Sequence, residues 1–123
     1  MQKYFKEEIK MKISLDKYYE KLIEAIIEIY QEHETLDLII SGKKDPYPLS
    51  IEGLYSRVNT KLGINLDVDF HIKTIKILTH KIPGIEYYFG GISQIFGKTA
   101  HKNFVTISRE LILKKLRRIN KEK

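Results

Sequence analysis

The stretch LDVDFHIKTIKILTHK at positions 66–81, then Pro83-Gly84, then IEYYF at 85–89 and FVTIS at 104–108, decides how this chain is read. Val68, Ile72, Ile75, Leu78 (or Thr79) and Ile82 recur at helical spacing, which predicts a helix over 66–82 with these residues facing inward. Asp69, Lys73, Lys76 and His80 fall on the opposite face, with Thr74 and Lys81 at its edges. Pro83-Gly84 breaks the helix. Beyond it Ile85, Tyr87 and Phe89 alternate with Glu86 and Tyr88, and Phe104, Thr106 and Ser108 alternate with Val105 and Ile107, the period of two strands. Between them GGISQIFGKTAHKN, at 90–103, is too long for a tight turn and reads as a basic loop. Ile92, Ile95 and Phe96 fit a solvated loop poorly. They fold it back, extend the strands, or wedge into a partner.

Upstream, Ser50 caps a helix with Ile51, Leu54, Tyr55, Val58 and Leu62 on one face, Arg57 and Lys61 off it, and Gly63 at its end. The connection to the next helix is short, with Asp67 or Asn65 as its cap. GKKDPYP at 42–48 is a loop, and a strand of one or two residues at 48–49 would pair with the hairpin. LDLIIS at 36–41 is ambiguous between helix and short strand. The strongest helical signal is 15–30, capped by Ser14. Its apolar positions span roughly 180°, wider than the ~100° stripe that one core contact needs. That breadth predicts two contact surfaces: the core, and either a second subunit or the C-terminal helix. Ser108 caps that last helix, with Ile112, Leu116 and Ile119 on one face and Lys114, Lys115, Arg117 and Arg118 largely off it.

The 123 residues suit one domain with a modest core. Residues 1–13 read as an N-terminal extension, 14–119 as the domain and 120–123 as a basic tail. There is no cysteine, which excludes disulfides, thiolate metal sites and cysteine nucleophiles. No apolar run reaches the roughly 20 residues of a membrane span, and no signal-peptide core opens the chain, so a cytoplasmic protein is expected. The formal charge of +6 is unevenly placed: 98–123 holds nine Lys/Arg against Glu110 and Glu122, a net +7, leaving the first 97 residues at −1. A one-sided basic field favours a polyanion, nucleic acid before membrane. Isoleucine, at 20 residues, with Lys and Glu dominating the charges, has the flavour of a hyperthermophile chain or of AT-rich coding.

Helices first, then a helix with a basic outer face, a β-hairpin and a closing helix: over 14–119 this order resembles the winged helix-turn-helix, an α+β fold with a three-helix core, a β-hairpin wing and here an added C-terminal helix. The likeness is one of element order, not of a signature motif, so it implies a fold more than a function. It implies a double-stranded-DNA-binding protein, a transcriptional regulator of the small type common in archaea and their viruses (acting then in host cytoplasm). Such proteins are often homodimers, here through 15–30 and the C-terminal helix. The resemblance places Lys73, Thr74, Lys76 and His80 in the major groove, Lys98, Thr99, His101 and Lys102 on the wing contacts, and Ser50 and Arg57 on backbone phosphate. The outer face of helix 66–82 lacks Arg, Asn and Gln, the residues best suited to bidentate base readout, so charge and shape would carry the binding.

Sharper chemistry is thinly supported. Asp67, Asp69 and Glu86 could hold a divalent cation against a phosphate, but capping and surface exposure explain the same residues. His33, His71, His80 and His101 have no paired ligand spacing and read as surface or wing histidines, so no metal, cofactor or catalytic residue is expected. Tyr18, Tyr19, Tyr87 and Tyr88 read as packing residues. The competing functional reading is a winged helix that binds protein instead of DNA, docking through the hairpin or through Ile92, Ile95 and Phe96; RNA binding by the same basic surface is a third.

Overall fold

The computed structural model describes residues 13–95 and 98–122, with side chains omitted over 91–101 and 121–122. Among the described residues five helices and one small antiparallel sheet follow in the order α1 (Leu15–Glu32), α2 (Leu36–Ile40), β1 (Leu49–Ser50), α3 (Ile51–Leu62), α4 (Val68–Lys81), β2 (Ile85–Ile95), β3 (Lys98–Ile107) and α5 (Arg109–Glu122). The fold is α+β. Apart from Ile13, which is buried in the core, the expected extension lies outside the described residues. The expected basic tail at 120–122 continues α5.

Local chemistry sets the helix ends. The Ser14 hydroxyl accepts the Lys17 N–H at 3.1 Å, and the Asp67 carboxylate accepts the Phe70 N–H at 2.8 Å. Gly63 ends α3 in the left-handed conformation (φ 72°), open to glycine without a Cβ penalty. Ser108 accepts the Leu111 N–H at 3.3 Å and starts α5. The ambiguous run 36–41 is a short helix. Arg109 donates to the carbonyls of Ile39, at 2.8 Å, and Ile40, at the end of this short helix.

The core is organised around α1, whose Tyr18, Leu22, Ile23, Ala25, Ile26, Ile27 and Tyr30 are all buried. They join Ile51, Leu54 and Val58 of α3, Ile75 and Leu78 of α4, Val105 and Ile107 of β3 and Ile112 of α5. Each such side chain contributes about 1.5–3 kcal/mol by leaving water. The breadth of the α1 stripe thus has an intramolecular explanation: α3 and α4 take one side and α5 the other, with Lys115 of α5 bridging to Glu20 (3.7 Å) and Glu24 (3.4 Å).

The sheet order is β1-β3-β2. Leu49 and Ser50 pair with Val105 and Phe104, one residue later than the expected 48–49 strand. The hairpin is longer than 85–89 and 104–108 imply, pairing Ile85 with Ile107 at its base and Ile95 with Lys98 at its far end. Ile92 and Ile95 therefore extend the strands, as one of the three readings had it; Phe96 lies outside the described residues. One irregularity interrupts the ladder between Phe89 and Gly91. A Cβ on Gly90, the extra residue, would run into the Phe104 ring, so this bulge is open only to glycine.

Candidate nucleic-acid interface

α3 and α4 are joined by residues 63–67, with Leu66 buried beneath the turn. That anchor turns the other side of α4 to solvent. Asp69, Lys73, Lys76, His80 and Lys81 are exposed there. Lys76 also leans toward the hairpin, its Nζ 5.0 Å from the centroid of the Tyr87 ring, a cation–π contact that ties the helix to β2. On the neighbouring strand Lys102 is exposed. Lys98, Thr99 and His101 occupy β3 opposite Ile95, Gln94 and Ile92, and their side chains lie outside the described residues.

Three of the expected contacts have their polar groups engaged within the chain. Thr74 is buried on the inner side of α4, where its hydroxyl donates to the Phe70 carbonyl at 2.7 Å. At 100° per residue it lies beside Ile75 and Leu78, which are in the core. Arg57 is clamped by carboxylates of α1, donating to Glu32 at 2.6 and 3.0 Å and to Glu28 at 3.3 Å, while Lys61 also reaches Glu28. Burial pushes the Glu28 carboxyl up, but Lys61 and Arg57 together bring it below its ordinary pKa. Ser50 does occupy the cap position of α3, yet its hydroxyl donates to Glu52 at 3.0 Å instead of accepting from the helix.

Glu52 is the centre of a network that spacing alone does not reveal. Its two carboxylate oxygens accept from the Asn103 side-chain amide at 2.8 Å, the Asn103 N–H at 3.3 Å and Ser50. Tyr87 in turn donates to the Asn103 side-chain oxygen. Burial raises the Glu52 pKa, and these donors outweigh it, holding the group ionised below the usual carboxylate range. The chain Glu52–Asn103–Tyr87, with Lys76 over the Tyr87 ring, fixes the base of the hairpin against α3 and α4.

Between α4 and the hairpin this network floors an open cleft of about 550 Å³. Val68, Ile72, Tyr87 and Phe89 supply apolar and aromatic wall; Glu52, Asp69, Lys76 and Asn103 supply the polar groups. Phe89 is 55% exposed and Tyr88 44%; with Leu38 they are the exposed large apolar side chains among the described residues.

His71 overturns its reading as a surface histidine. It is 1% exposed, with Nε2 2.8 Å from Asn59 Oδ1 and Nδ1 2.7 Å from the Tyr18 hydroxyl. Asn59 donates its amide to the Leu66 carbonyl at 2.8 Å, so its Oδ1 is the acceptor. Nε2 must then carry the proton and Nδ1 accepts from Tyr18. Burial lowers the His71 pKa to about 4 against a weaker opposing pull from Asp67, so the ring is neutral near pH 7. The signal that marks it is spacing: Ile75 and Leu78 follow four and seven residues later on the same face.

Of the carboxylates considered for a cation, Asp67 caps α4 and Glu86 accepts from Tyr88. Among the described residues no group of three or more His, Asp or Glu could share a metal ion, and no helix is long and apolar enough to cross a membrane. On α5, Lys114, Arg117 and Arg118 are exposed, whereas Arg109 and Lys115 serve internal partners. Comparison with protein-family models, curated proteins and solved structures finds no match to this chain.

Proposed function

We propose that this chain is a winged helix-turn-helix protein that binds double-stranded DNA, with α4 in the major groove, the β2–β3 hairpin as the wing on the backbone, and transcriptional regulation as its role. One observation carries the reading: the solvent side of α4 bears Lys73, Lys76, His80 and Lys81 next to a long hairpin braced to it through Lys76 and Tyr87. The element order and the β1-β3-β2 sheet order suit that fold. Lysines without Arg, Asn or Gln favour phosphate and shape over bidentate base contacts. The groove set reduces to Lys73, Lys76 and His80, with Lys102 and the strand positions Lys98, Thr99 and His101 on the wing.

A homodimer is part of the proposal. Its place is the α1–α5 groove of about 420 Å³, floored by Tyr19, Ile23, Ile82 and Leu111 between acidic Asp16 and Glu20 and basic Lys114 and Arg118. Walls of opposite charge are self-complementary about a two-fold axis. Sedimentation across a concentration series reads the oligomer directly.

The test of function is a fluorescence-anisotropy titration with random duplex DNA at several salt concentrations. Affinity should fall linearly in log–log with salt, with a slope that counts the phosphates engaged. A duplex-RNA competitor that displaces the DNA fully would move the assignment to RNA. The competing protein-interaction reading is favoured by one observation, the exposed Tyr88 and Phe89 on the edge strand β2. Absence of DNA binding at low salt, with salt-insensitive retention of a protein partner, would establish it.

A further inference from the structure

The cleft between α4 and the hairpin combines features that a phosphate-tracking surface does not need. A lysine-only groove would serve the backbone; this one places two carboxylates, Glu52 and Asp69, beside an exposed phenyl ring. Carboxylates repel phosphate, and they accept from N–H groups. Among the described residues the Asp69 side chain has no ion pair or hydrogen bond to another group, and it stands in the first turn of α4. Glu52, Asn103 and Tyr87 are by contrast held rigidly by one another. The bulge at Gly90 sets the position of Phe89 just before the ladder changes register. Lys76 lines the opening with positive charge.

We infer that this cleft receives a single unpaired nucleobase bearing an exocyclic amine (cytosine, adenine or guanine), with Phe89 stacking on its face and Asp69 accepting from the amine. The inference rests on the DNA-binding reading and adds to it a ligand that the groove-and-wing contacts do not require. Each part of the ligand has a counterpart in the cleft. A base is planar and apolar on its faces, which suits a wall of Phe89, Ile72 and Val68. Its exocyclic amine is a donor toward Asp69, whereas thymine has none and presents a carbonyl oxygen where cytosine has its amine. Its flanking phosphates fall outside the cleft, on the side where the exposed Lys76 stands. Extruding a paired base costs a few kcal/mol, so a base already unpaired is the preferred occupant.

The test compares three labelled duplexes of one sequence: fully paired, with one extra unpaired cytosine, and with one extra unpaired thymine. The unpaired cytosine should raise affinity by roughly tenfold, the effect of stacking one base on one aromatic ring. Thymine should gain less. In Phe89→Ala the bulged-to-paired affinity ratio should fall toward one, and in Asp69→Asn the cytosine and thymine duplexes should bind alike. Phe89 and Asp69 are exposed, and near-UV circular dichroism checks that both variants are folded. Equal binding of paired and bulged duplexes overturns the inference and leaves the DNA reading in place. A bulge preference that survives Phe89→Ala also overturns it, because the flexibility of bulged DNA then suffices. Binding to none of the three overturns both.

Discussion

The His71 imidazole accepts a hydrogen bond from the Tyr18 hydroxyl at 2.7 Å, 53 positions away in sequence and closed off from solvent. With the Asn59 contact at 2.8 Å it joins α1, α3 and α4 at a single buried side chain. The arrangement needs a neutral ring, since a proton on Nδ1 would face the hydroxyl that donates to it. Its folded pKa of about 4 lies below the ordinary 6.5. Between those values the unfolded chain binds a proton that the native state does not, so stability falls as pH falls from 6.5 toward 4. The loss should reach about 2 kcal/mol by pH 5, above the range where most carboxylates titrate. Urea unfolding at pH 7 and pH 5 measures it. His71→Gln should flatten the slope in this window while lowering stability throughout; an unchanged slope would show that His71 is not its source.

Glu52 should matter more to the fold than its half-exposed position implies. Glu52→Ala leaves the Asn103 amide and N–H, on a residue only 6% exposed, without their acceptor. A loss of about 2 kcal/mol in thermal or urea unfolding is expected, with Glu52→Gln intermediate because it keeps one acceptor oxygen.

Arg57→Ala separates structure from binding. Its ion pairs with Glu28 and Glu32 lie at the surface, with the arginine side chain 33% exposed, so the stability change should stay within about 1 kcal/mol. Because the guanidinium is held on α1, the salt slope of DNA binding should not change. A slope lowered by about 1 would return Arg57 to the phosphate contacts.

The lysines of α4 and of the wing should act separately. Lys73→Ala with Lys76→Ala should lower DNA affinity and reduce the salt slope by about 2, and Lys98→Ala with Lys102→Ala should do the same independently. Binding unchanged in both double variants would remove the groove-and-wing arrangement.

Glu34 has a positive φ of 61° between α1 and α2, the left-handed region in which a side chain is strained. Asparagine tolerates it best after glycine. Glu34→Asn should therefore stabilise the protein by about 0.5 kcal/mol, and Glu34→Val should destabilise it, both read from thermal unfolding.

Ser14, Gly63 and Ser108 were legible in sequence as helix boundaries, as were the inward position Ile75 and the paired strands at 85–89 and 104–108; Asp67 and Leu78 were each one of two candidates, beside Asn65 and Thr79. Each depends on chemistry within about four residues: a cap bonds an amide three positions on, and a periodic stripe repeats every turn. The hairpin's extension through 90–95 and 98–103 was harder to see, because cross-strand pairing overrides a stretch rich in glycine and polar residues. Thr74 went astray by being one step around the helix from the assigned face.

What the sequence by itself determined is the list and order of elements and the basic character of the last 26 residues. Tertiary structure alone decided what each polar side chain does. His71 is neutral because the fold buries it, and Tyr18 and Asn59 fix its tautomer. Arg57 is held by Glu32, 25 positions earlier, and Arg109 by the carbonyl of Ile39, 70 positions earlier. Glu52 meets Asn103 across 51 positions. A charge or hydrogen-bonding group takes its role from the nearest partner in space, and burial strengthens whichever partner that is. Periodicity encodes which side of a helix faces the core, but not which distant residue waits there.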